Sequence, residues 1–121
     1  MNATLQSVQS SISPELESRT DLLAHVEYVN GLLTDVLGPS LNTAAVHWDV
    51  AHDERGRALL TMRLKDEVTG SEETAAFALR EFSDEWRLRH RLYETWGDLL
   101  ERRSERAMQE LREAVRRLDD A

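Results

Sequence analysis

The chain has 121 residues and a formal net charge of −8, which suits one domain and not two at ~150 residues apiece. Its excess of acid excludes a general grip on nucleic acid, because phosphate contacts supply most of that affinity. The absence of cysteine excludes disulfides, thiolate metal sites and a cysteine nucleophile.

Residues 1–13 are polar and serine-rich, with Leu5, Val8 and Ile12 at helical spacing. They predict a flexible segment or a short helix. Ser13-Pro14-Glu15 reads as a helix start, with a serine to cap, proline at the first helical position and acid in the first turn. Leu22, Val26, Val29, Leu33 and Val36 then mark one apolar face, and Gly38-Pro39-Ser40 stops it. The first helix is expected over residues 14–37.

The period changes to two over residues 44–80. Val46, Trp48 and Val50 alternate with Ala45, His47 and Asp49, and Leu60, Met62 and Leu64 alternate with Thr61, Arg63 and Lys65. Glu54-Arg55-Gly56 between them suits a three-residue hairpin loop with glycine in the left-handed position. That loop sets Val50 against Leu60, Trp48 against Met62 and Val46 against Leu64, all apolar pairs on one face. A turn around Val68–Ser71 predicts a third strand, with Leu60 against Leu79, Met62 against Phe77 and Leu64 against Ala75. The expected sheet is a three-stranded antiparallel meander.

Ser83-Asp84-Glu85 caps a second helix over residues 84–118. Its first half carries Trp86, Leu88, Leu92, Tyr93, Trp96, Leu99 and Leu100 as one broad apolar face. A narrower stripe, Ala107, Leu111, Ala114 and Leu118 with Val115 beside it, has the spacing of a coiled-coil seam. Gly97-Asp98, followed by Glu101, is the one place where a fresh helix could start after a bend. Unbroken, this helix is about 50 Å long at ~1.5 Å per residue, so its end must project, fold back or meet another chain. The fold class is therefore α+β: N-terminal helix, three-stranded meander and long C-terminal helix, in two layers within a single domain of residues 1–121.

No motif for chemistry survives its plainer reading. His47 and Asp49 share a strand face and could ligate a metal, but Arg63 sits opposite His47, and a cation beside a cation site is poor design. A solvated face with an Asp49–Arg63 cross-strand pair is expected instead. Asp66-Glu67 and Glu72-Glu73 read as a solvated acidic knob. Arg87, Arg89 and Arg91 read as a salt-bridged helix surface, with Glu94 and Glu101 placed to answer them. Trp86 and Trp96 read as core. No nucleophile elbow, phosphate-binding loop or zinc-binding helix motif is present.

The sequence thus leads to a non-enzymatic protein–protein interaction or assembly module, an adaptor that forms a homodimer. Its interaction residues are Ala107, Leu111, Ala114, Val115 and Leu118 on the helix tail, with His47, Asp49, Thr61 and Arg63 on the open sheet face. No metal or other cofactor, no nucleic acid and no membrane is expected as a partner, and a cytoplasmic location is. One alternative is a small acidic chaperone or adaptor holding a client polypeptide; in size, acidity and element order the chain loosely resembles type III secretion chaperones, without a motif that carries the likeness. Another is a ligand-binding or catalytic domain with a pocket between sheet and helices near Trp48 and Trp96.

Overall fold

The computed structural model describes residues 8–120; the part of the N-terminal reading that rests on Leu5 lies outside them. The chain is α+β. Its elements are β1 (Gln9–Ile12), a single helical turn α1 (Pro14–Glu17), α2 (Thr20–Leu37), β2 (Ala44–His52), β3 (Ala58–Asp66), β4 (Glu72–Ala78) and α3 (Glu85–Asp119), with 3-10 segments before β2 and after β4. The sheet has four strands in the order β1-β2-β3-β4, with β1 parallel to β2 and the other pairs antiparallel.

The fourth strand corrects the three-stranded meander. Residues 9–12 are extended, not helical or free, because α2 supplies polar anchors for them. Thr34 Oγ1 accepts from the Val8 N–H at 3.2 Å. Asn30 donates to Ser10 Oγ at 3.0 Å and accepts from the Trp48 indole N–H at 2.8 Å. Ser13 N donates to the Trp48 carbonyl at 2.9 Å, continuing the parallel ladder to the next helix start.

The first helix is broken. Ser13 caps α1, accepting from the Leu16 N–H at 3.3 Å, but Arg19 leaves helical geometry before α2 begins. At ~100° per residue an unbroken helix would place Leu16 about 120° away from Leu22. The break rephases the chain, so both leucines are fully buried.

The β2–β3 hairpin has the expected register, with Val50 facing Leu60, Trp48 facing Met62 and Val46 facing Leu64. Gly56 takes φ 76, the left-handed value its loop needs. Asp53 Oδ1 holds that loop, accepting from Arg55 N and Arg57 N at 2.9 Å each.

The β3–β4 register differs by two residues: Leu60 faces Phe77, Met62 faces Ala75 and Leu64 faces Glu73. The cause is Asp66, which closes a tighter turn. Its carboxylate accepts from Thr69 N at 3.1 Å and Thr69 Oγ1 at 2.7 Å, while its backbone N–H donates to the Ser71 carbonyl at 2.8 Å. A shift by two keeps every side chain on its face. It also moves Leu79 off the sheet and sets Glu73 opposite Leu64.

Helices α2 and α3 cover that side, and Trp48, Met62 and Phe77 are fully buried beneath them. Asp84 caps α3, accepting from Arg87 N at 3.1 Å. The helix runs unbroken through Gly97 for 35 residues. Its last buried apolar residue is Leu99, and the helix beyond Arg103 overhangs the body. Among the described residues no helix is long and apolar enough to cross a membrane.

Candidate interaction surfaces

Three surfaces remain once the core is accounted for: the uncovered sheet face, the free edge of β4, and α3 with its overhang. On the sheet face, His47 and Asp49 are neighbours as expected, and Arg63 lies opposite His47. Ser11 Oγ stands 2.8 Å from His47 Nδ1, a contact that β1 alone makes possible. The expected Asp49–Arg63 ion pair does not form. Asp49 faces Thr61 and turns its carboxylate onto the Val50 N–H at 2.8 Å. The Ser13 hydroxyl, and then that N–H, hold the Asp49 carboxyl below its ordinary range. His47, Asp49, Thr61, Arg63 and Thr74 line a shallow depression of about 180 Å³. No group of three or more His, Asp or Glu among the described residues is placed to hold a metal ion.

Of the acids around the second turn, Glu67 and Glu72 are exposed as expected, but Asp66 and Glu73 are drawn inward. Asp66 is fully buried, with Arg103 Nη1 3.9 Å from its Oδ1, too far for a hydrogen bond. Arg102 Nε lies 2.8 Å from Glu73 Oε2 but off the N–H axis, an ion pair without a hydrogen bond. Among the described residues these two arginines make the last ion pairs between α3 and the body.

Arginine also closes the edge of β4. Arg91 donates to the Ala76 carbonyl at 2.8 Å and to Glu81 at 2.9 Å, and lies over the Phe77 ring at 4.5 Å. Arg102 reaches the Glu72 carbonyl at 3.5 Å, and Glu81 accepts from Ala78 N at 2.7 Å. Side chains thus occupy edge groups that another strand would need. The basic cluster is salt-bridged as expected, but through different acids: Arg87 and Arg91 find Glu81, and Arg89 finds Glu85 and Asp35.

The tryptophans divide. Trp48 and Trp96 are packed into the core. Trp86 is 78% exposed and stacks on His90 with ring centroids 5.8 Å apart. Placing it in the core was wrong for a geometric reason: two residues before Leu88 is the opposite side of a helix. A depression of about 540 Å³ lies elsewhere, between the β2–β3 loop and the end of β4, over Leu59, Ala78 and Leu79.

The tail residues project together beyond the body. Leu111 is 57% exposed and Leu118 76%, with Val115 between them also exposed. Ala107 is exposed and Ala114 half-buried. Compared with protein-family models, curated proteins and solved structures, the chain matches none.

Proposed function

We propose that this chain is a non-enzymatic, cytoplasmic interaction module that self-associates through the overhanging half of α3. The observation that carries the reading is the exposure of Leu111 and Leu118 on one face of a helix that has left its own core. A leucine side chain fully buried rather than exposed contributes roughly 1.5–3 kcal/mol, so a stripe of them favours a covering partner. The polar groups spent on loops, edges and caps, such as Asp53, Asp66, Asp84 and Arg91, support the non-enzymatic part. The cysteine-free composition suits a reducing compartment.

Light scattering on the full chain tests this. A dimer that becomes a folded monomer in the Leu111→Glu, Leu118→Glu variant supports the reading. A parent chain that stays monomeric at its highest soluble concentration rejects it.

A further inference from the structure

One stripe of α3 is free of formal charge along the whole helix, although about half of its 35 residues are Asp, Glu or Arg. At ~100° per residue, Trp86, His90, Tyr93, Gly97 and Leu100 fall within one ~80° sector. Ser104, Met108, Leu111, Val115 and Leu118 continue the same sector to the end. It faces away from the sheet. All its members are exposed except Leu100, which is half-buried, and Trp86 and Tyr93 stand out by 78% and 56%.

The stripe is symmetric about Ser104. Leu100 and Met108 lie four residues to either side, Gly97 and Leu111 seven, Tyr93 and Val115 eleven, and His90 and Leu118 fourteen. Such a pattern meets itself when two helices run antiparallel about a two-fold axis, because each residue then faces the one equally far beyond the axis. Resting on the self-association reading, we propose that the occupant of this stripe is the α3 stripe of a second copy. The pair is antiparallel and centred on Ser104, so each overhang lies along its partner's anchored half.

Size and charge both favour that arrangement. Gly97, where an added Cβ would meet nothing within 4 Å in the monomer, receives the partner's Leu111. On one flank Glu94, which already has His90 Nε2 at 2.6 Å, comes beside the partner's Arg112, and Arg87, 3.9 Å from Glu81, comes beside the partner's Asp119, each twice by symmetry. On the other flank the partner's Ala114 comes beside Trp96, small against large. A parallel pair offers the partner's Glu94 only Arg89, which Asp35 and Glu85 already engage at 3.7 and 3.5 Å. One contact opposes the antiparallel pair: Glu101 falls beside the partner's Glu105, so Glu101→Gln tightens the dimer.

The test uses the full chain, whose lack of cysteine leaves introduced thiols unambiguous. Tyr93→Cys and Val115→Cys replace exposed side chains and leave the monomer folded. Mixed under mild oxidation, the two variants become joined by a disulfide between their introduced thiols, and neither variant alone forms one with its own copy. By sedimentation, Arg112→Glu or Glu94→Arg alone weakens the dimer about tenfold, and the double charge exchange restores it. A dimer in which the Tyr93→Cys variant couples to itself, or in which neither thiol couples, overturns the antiparallel geometry and leaves self-association standing. A parent chain that sediments as a monomer overturns both.

Discussion

The Trp48 indole N–H donates to Asn30 Oδ1 at 2.8 Å, and Asn30 donates in turn to Ser10 Oγ at 3.0 Å. One side chain on α2 thereby satisfies the polar atom of a fully buried ring and ties the edge strand β1 to the helix layer. Asn30→Ala strands the indole N–H in the core, which costs about 1–3 kcal/mol. Denaturant unfolding measures the loss. Hydrogen exchange in the variant should rise first in residues 9–12, and a loss spread evenly over the sheet would contradict this role for Asn30.

Asp66 and Arg103 form an unequal pair. Asp66 is buried and accepts two hydrogen bonds from Thr69, whereas Arg103 approaches it only to 3.9 Å and keeps 37% of its side chain exposed. Asp66→Ala therefore destabilises by about 2 kcal/mol through the lost turn bonds. Arg103→Ala costs roughly 1 kcal/mol or less, as for a largely exposed pair. Reversal of that order in urea unfolding would mean that the ion pair, not the turn, holds this end of the sheet.

Among the three tryptophans only Trp86 meets water. Iodide should quench one component of the fluorescence and leave the rest, and Trp86→Phe should remove the quenchable component without shifting the thermal midpoint. Quenching that survives the substitution would show that Trp48 or Trp96 is accessible.

Gly97→Ala should act with opposite signs on the fold and on the assembly. In an isolated chain it stabilises α3 by about 1 kcal/mol, since alanine loses less freedom in a helix interior and open space surrounds the new Cβ. In the antiparallel pair the same methyl meets the partner's Leu111 and weakens association. Thermal melts at low concentration and sedimentation at high concentration separate the two effects.

Acid should unfold the protein partly through three carboxylates held below their ordinary range: Asp49 by the Ser13 hydroxyl, Asp53 by the Arg57 N–H and Glu85 by the Tyr28 hydroxyl. For a depressed folded value, the stabilisation is complete above the unfolded value near pH ~4 and is lost as pH falls through the folded one. The thermal midpoint should thus hold from neutral pH to about 5 and decline below ~4. Asp49→Asn should flatten that decline, and an unchanged slope would remove Asp49 from the set.

Much of this architecture was legible in the residues, and the misses have physical reasons. The β2–β3 register followed from Gly56 together with an apolar alternation, two local signals that agree. The next register slipped because Asp66 looks like any turn acid; its buried bonds to Thr69 exist only once the turn has closed. Strand β1 was hidden because Val8 and Ile12 satisfy a helical spacing as readily as an extended one, and the decisive partners, Asn30 and Thr34, are distant in sequence. On α3 the tail leucines stand out by hydropathy, whereas Gly97 and Ser104 carry the uncharged stripe past Arg102 and Arg103 only by having small side chains, which leave no apolar signal.

Arg91 grips the Ala76 carbonyl, the Glu81 carboxylate and the Phe77 ring at once, and with the buried Leu88, Leu92, Trp96 and Leu99 it fixes the angle at which α3 leaves the sheet. Beyond Arg103 the helix extends about 24 Å at ~1.5 Å per residue, so a tilt of about 5° at its root swings the tip by about 2 Å. The overhang is a pointer rooted in the packed half of α3: a probe attached near Leu118 would report, magnified, any loosening of that packing around Phe77.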